Sequence, residues 1–157
     1  MHQNKNHLDS SSVKKILEQH KQYISSHGTQ GEAADFSETM IEDYDFSGID
    51  ISEINAIHST FVNCTFNNSD LYAANFSKSK FSDCNFKKAT LIKSSFYKAK
   101  FSNCNFEGAN LSQAEFIDAE ISDTNFNHAD LAYAIFEECL LKNTNFKQAI
   151  TTGVEFD

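Results

Sequence analysis

All fifteen phenylalanines of this chain stand in one register of five, beginning at Phe36 and Phe46 and ending at Phe146 and Phe156. Ile41, Ile51, Leu71, Leu91, Leu111, Ile121, Leu131 and Leu141 fill the same register between them, and only Ala56 and Thr151 lack a large apolar side chain. A period of five matches neither the 3.6 of a helix nor the 2 of a strand. Over residues 34–157 the ordinary amphipathic patterns therefore fail, and a repeat architecture is what remains.

Two residues before each register position the chain reads mostly Ala, Ser, Thr or Cys, with Tyr44, Ile49, Ile54 and Val154 as exceptions. Large and small inward groups then alternate, as an interior filled at crystal-like density requires. The other three residues of each five are rich in Asn, Asp, Ser, Lys and Glu and are expected to be exposed. A longer period sets the number of sides. The column Phe46, Phe66, Phe86, Phe106, Phe126, Phe146 is all Phe, whereas Ile51, Leu71, Leu91, Leu111, Leu131 is aliphatic. The repeat of twenty predicts four sides of five residues per coil, with each residue stacked about 4.8 Å above its equivalent and about six coils forming a rod roughly 29 Å tall.

Surface columns agree with this stacking. Asp43, Asn63, Asp83, Asn103, Asp123 and Asn143 alternate acid and amide, so that like charges never stack directly. Asn85, Asn105, Asn125 and Asn145 predict a second amide ladder. Cys64, Cys84 and Cys104 recur every twenty residues and are continued by Thr124 and Thr144, which marks a column for a small side chain. With no CxxC pair and no histidine in step, the thiols suggest neither a metal site nor disulfides.

Ala109-Asn110-Leu111 and Ala129-Asp130-Leu131, with the repeated Cys-Asn-Phe triplets, resemble the pentapeptide repeat family and its loose motif A(D/N)Lxx. The resemblance covers about four fifths of the chain and implies an all-β solenoid, a right-handed quadrilateral β-helix. The departures at Tyr44, Ile49, Ile54 and Ala56 predict an irregular first coil. The expected organisation is a tail and capping helix over residues 1–30, followed by the repeat rod over 31–157.

Within that first segment Val13, Ile16, Leu17, His20, Tyr23 and Ile24 form one apolar stripe on a helix over 11–26, with Gly28 as its stop. The end of a stacked rod exposes an apolar cross-section and open strand edges, so the helix is read as a lid and His20 as a packed ring. No comparable segment follows Val154 and Phe156. A two-fold dimer through Phe136, Leu141, Phe146, Val154 and Phe156 would cover that end, as it does in members of the resembling family.

The formal net charge is −9 and the chain has no arginine, which disfavours direct nucleic-acid binding. Residues 32–70 hold nine acids and no lysine, and residues 107–157 hold ten acids against Lys142 and Lys147. Between them lie seven lysines against Asp83 alone. Lys78, Lys80, Lys98 and Lys100 make a compact patch near one corner, read either as part of solvated ion-pair ladders with Asp118 and Glu120 or as a docking site for an acidic protein surface. The opening residues lack a signal-peptide core and no run is long enough to span a bilayer, so a cytoplasmic location away from membranes is expected.

No Gly-rich phosphate loop, GxSxG element or paired histidine occurs, and His58 and His128 fall on different sides; no catalytic, metal or cofactor residues are assigned. The expected role is a non-catalytic scaffold or protein-interaction module with an unidentified partner. The resemblance offers an alternative, because some family members are acidic rods that mimic DNA and occupy type II topoisomerases such as gyrase. The lysine belt interrupts the continuous negative charge that such mimicry demands.

Overall fold

In a computed structural model the chain is a four-sided β-solenoid preceded by one helix, described over residues 6–156. One side of each coil carries a short strand: β2 (Thr39–Glu42), β3 (Thr60–Val62), β4 (Lys80–Ser82), β5 (Lys100–Ser102), β6 (Glu120–Ser122) and, after β7 (Ile135–Phe136), β8 (Leu140–Lys142). These pair in parallel with a shift of twenty residues, as in Phe61 beside Phe81 beside Phe101. The other sides meet mostly through single bridges at the same shift, for example Asp45 with Thr65, Asp50 with Asp70 and Asn55 with Asn75, and in the last coil β7 pairs with β9 (Glu155–Phe156). We number the sides I to IV in chain order from the strand side, so that side IV carries Asn75, Ser95 and Glu115.

The register residues lie on the axis. Rings in the all-Phe column stack at centroid distances of 4.8, 4.6, 4.6, 4.9 and 5.0 Å with planes within 5° of parallel. Neighbouring columns meet edge to face, as Phe81 meets Phe86 at 5.5 Å and 70°. Both arrangements suit the ring quadrupole, the parallel stacks when offset. The small inward residues are buried too, and several of the serines and cysteines among them act as hydrogen-bond donors between coils. Ser59 Oγ donates to the Phe36 carbonyl at 2.6 Å, and the Cys64, Cys84 and Cys104 thiols lie 3.5 to 3.6 Å from the carbonyls of Ile41, Phe61 and Phe81. Size alone therefore does not explain the column: a thiol there also reaches a carbonyl of the coil beneath, while Thr124 donates to Ser122 in its own coil.

The outward residues differ from the expected uniform exposure. Those flanking each register residue are commonly half-buried, while the third, at Glu38 and every fifth position to Gly153, has a left-handed backbone. The chain turns its corners there. Asn and Asp tolerate this conformation better than other non-glycine residues, which gives the Asp43-to-Asn143 column a second reason besides charge. Asn63, Asn103 and Asn143 each donate to the acid one coil below at 2.6, 2.6 and 2.9 Å. The second amide ladder is mostly local: Asn125 donates to Asn105 at 3.0 Å, but Asn85 and Asn145 instead accept the amide N–H two residues on.

Helix α1 (Ser10–Ser25) starts at Asp9, whose carboxylate accepts the Ser12 N–H at 2.8 Å. At its other end Gly28 N–H reaches the Tyr23 carbonyl and His27 N–H the Ile24 carbonyl, a Schellman closure. His27 (φ 54) takes the first left-handed position and Gly28 (φ 79) the next, so the expected glycine stop is shared. Val13, Leu17 and His20 are buried against the rod, and the His20 ring accepts the Ala34 N–H at 3.0 Å. Before the helix, β1 (Asn6–His7) pairs with β2 and covers the lower sheet edge, an element with no periodic signal. The first coil is regular in backbone: Phe36, Ile41, Phe46 and Ile51 are buried and bridge upward in register. Tyr44 and Ile49 stay half-buried and line one cleft with Leu17 and Ile24 of α1. Residues 1–5 of the expected tail, and Asp157, lie outside the described residues.

Two measurements test this packing. Phe86→Ala and Phe106→Ala should each cost about 3–5 kcal/mol in chemical denaturation, and Cys84→Ala much less; equal, negligible effects would contradict the axial stack. Burial lowers the His20 pKa below 6.5, against the opposing pull of Asp50 and Glu53. The unfolded chain then binds the extra proton more readily than the folded one. The stabilisation is complete above about pH 6.5 and is lost as pH falls towards the lower folded value. Denaturation midpoints between pH 7.5 and 5.5 should decline, and His20→Leu should flatten that slope.

Candidate functional site

The four predicted lysines come together because each is one coil from its equivalent. β4 and β5 place Lys80 beside Lys100 on side I. Lys78 and Lys98 occupy the left-handed corner positions of the turns that lead from side IV into side I, joined by the bond from Lys78 N–H to the Tyr97 carbonyl at 2.7 Å. One coil higher the charge reverses. Lys98 Nζ is 3.9 Å from Asp118, and Lys100 Nζ donates to Glu120 at 2.7 Å. Tyr97, whose ring centroid is 5.0 Å from Lys98 Nζ, and then Asp118 hold that ammonium above its ordinary range. Among the described residues no ion pair within 4.0 Å involves Lys78 or Lys80.

Side I is also grooved. A depression of about 630 Å³ runs over β4, β5, β6 and β8, with Lys80, Lys100 and Lys142 beside Cys139, Leu140 and Leu141. Its upper end opens onto the C-terminal coil, where Leu140 is 69% exposed, Ile150 53% and Phe156 49%. Of the residues proposed for that end, Leu141 and Phe156 are exposed, and Phe146 and Val154 are half-buried. Phe136 is different. It is buried beneath Phe156, whose ring lies 5.2 Å away, so it supports the end and does not form its surface. Leu140, Ile150 and Tyr133 are exposed apolar groups that the five-residue register did not single out. Two of them had a usable signal: Leu140 follows Lys80, Lys100 and Glu120 in its column, and Ile150 is the apolar residue in a column otherwise held by Asp50, Asp70, Thr90, Asn110 and Asp130.

The thiol column is closed to solvent: Cys64, Cys84 and Cys104 are buried, and Cys139 is partly accessible. Hydrogen bonding between thiols, then burial, pushes Cys84 up to about 12. Among the described residues no group of three or more His, Cys, Asp or Glu converges as metal ligands, and no helix is long and apolar enough to cross a membrane.

Comparison with known proteins returns one family. The description "Pentapeptide repeat region" matches residues 89–157, and "Pentapeptide repeats (8 copies)" matches 49–87 and 69–108. No curated protein matches the chain. Among solved structures, full-length QnrB1, a plasmid-mediated fluoroquinolone resistance protein, is similar at 20% identity over 78% of this chain and 86% of that chain, with a TM-score of 0.37. Rfr23, a pentapeptide repeat protein from the cyanobacterium Cyanothece 51142, is similar at 15% identity over 78% and 84% of the two chains, with a TM-score of 0.29. HetL, a pentapeptide repeat protein involved in heterocyst differentiation regulation from Nostoc sp. strain PCC 7120, is similar at 14% identity over 95% of each chain, with a TM-score of 0.23.

Because Lys100 and Glu120 pair in solvent, their contact adds little to stability. Lys100→Ala should shift the unfolding free energy by at most about 1 kcal/mol, measured by chemical denaturation beside Phe86→Ala.

Proposed function

The chain belongs to the pentapeptide repeat family, and from that premise we propose that it is a non-catalytic interaction scaffold that docks a protein partner through Lys78, Lys80, Lys98 and Lys100. The observation behind this reading is the division of labour within each five residues. Register and small residues are consumed by the axial core, which leaves outward columns on a stiff support at fixed vertical spacing. The lysine columns are the one place in the rod where two stacked pairs of the same positive charge adjoin, on a chain whose net charge is negative. Such a patch selects acidic partner surfaces and accelerates their encounter.

The exposed apolar groups of the last coil support a second contact. Leu141, Phe146, Val154 and Phe156 are proposed to be covered by a two-fold copy of the same end, with Phe136 as the packing beneath. The acidic segments favour one competing reading, a DNA mimic that occupies a type II topoisomerase.

Affinity capture from the native host should recover an acidic protein that is lost when Lys78, Lys80, Lys98 and Lys100 are all changed to Glu. The same variant should retain the wild-type circular dichroism. Inhibition of gyrase supercoiling by micromolar protein, undiminished in that variant, would replace docking by mimicry.

A further inference from the structure

The turns between side IV and side I form one continuous edge, and that edge is its own electrostatic complement. Two outward columns run along it. Over the upper four levels one reads Ser77, Tyr97, Ile117, Glu137 and the other Lys78, Lys98, Asp118, Glu138, above Ile57 with His58 and Ser37 with Glu38. Backbone bonds hold them in vertical order, from Lys78 N–H to the Tyr97 carbonyl, Lys98 N–H to Ile117 and Asp118 N–H to Glu137, at 2.7, 2.9 and 2.9 Å. Tyr97 and Ile117 are half-buried apolar groups at the middle of the edge, while Lys78, Lys98, Asp118 and Glu138 are exposed.

Over these four levels the lower half is therefore cationic, the upper half anionic, and the centre apolar. We propose that this edge is a docking surface for a second copy of the chain, laid antiparallel about a two-fold axis level with the gap between Tyr97 and Ile117. The proposal rests on the reading of the lysine patch as a docking site and names its partner. Rotation about that axis exchanges levels symmetrically. Tyr97 meets Ile117 of the other copy, Lys98 meets Asp118, and Lys78 meets Glu138. On the side I flank Lys100 meets Glu120. A parallel arrangement would instead set lysine against lysine and acid against acid, which costs free energy at every level. Charge thus selects one polarity of the two.

The distribution of existing ion pairs points the same way. Lys98 and Lys100 already pair with Asp118 and Glu120 within the chain, close to the axis. Lys78 and Glu138, three coils apart and equidistant from the axis, make no ion pair within 4.0 Å among the described residues. An antiparallel copy supplies each with an opposite charge twice over, because the contact is isologous. An aromatic and an aliphatic group at the centre with charges at the rim is also the usual anatomy of a protein contact.

A charge exchange tests the arrangement with the full chain. With pairing through the C-terminal end removed throughout by Phe156→Glu, analytical ultracentrifugation should still show a concentration-dependent dimer. Lys78→Glu alone and Glu138→Lys alone should each weaken dimerisation by about tenfold or more, since each places like charges opposite one another twice. An equimolar mixture of the two variants should restore it, because the mixed dimer has opposite charges at both contacts. Neither substitution touches an ion pair within the chain, and circular dichroism should be unchanged. A monomeric Phe156→Glu protein, added Lys78→Glu or Glu138→Lys substitutions that leave its dimer unweakened, or a mixture that fails to recover would each overturn the proposal. Capture of an acidic host protein by the four lysines despite that result would leave the scaffold reading standing without it.

Discussion

The parallel stacking of like side chains at one strand spacing is the interaction on which the rest of the molecule depends. Because the hydrogen-bonded spacing of strands is about 4.8 Å, and the all-Phe rings repeat at 4.6 to 5.0 Å, backbone pairing and ring packing are satisfied by the same translation. That coupling explains why the aromatic column on side II is uniform, and why coils succeed one another through strands as short as three residues. Neither the short ladders nor the rings would suffice separately.

The same translation governs the polar chemistry. Ser59, Ser79 and the buried cysteines donate to carbonyls twenty-three residues earlier, and Asn63 and Asn103 donate to acids twenty residues earlier. Each is a contact between coils, so buried polar atoms are satisfied by the stack itself. The partners of the lysines arise in this way as well. Lys98 and Lys100 find acids because residues 118 and 120 lie directly above, whereas His58 and Thr60 lie below Lys78 and Lys80. A step in charge between adjacent coils becomes a step along the edge of the rod.

Much of this was legible before any coordinates, for a specific reason. In a solenoid, a separation of twenty residues is a statement about space, so the inward columns, the lysine patch and the Asn-to-Asp contacts could all be read from spacing. The non-periodic parts were less accessible. The lid at α1 was visible through its apolar stripe, but β1 has only two residues and no pattern, and its pairing with β2 follows from the docking of the helix beside it. Tyr44 and Ile49 broke the small-residue rule without breaking the coil, because nothing stacks beneath them and α1 leaves a cleft for their larger side chains. At the other end, Phe136 shares the register of Phe156 but lies one coil deeper, and depth is what separates a supporting ring from an exposed one.

The amino-acid order by itself determined the four-sided cross-section, the identity of every axial residue and the vertical neighbour of every surface residue, because all three follow from a period that runs from Phe36 to Phe156 without an insertion. Only the tertiary structure decided that the corner residues are left-handed, that the column of small residues donates hydrogen bonds, and which charges come within ion-pairing distance. The reason is physical: a period specifies translation along the rod, but backbone curvature, side-chain reach and the closure of an end depend on distances across it.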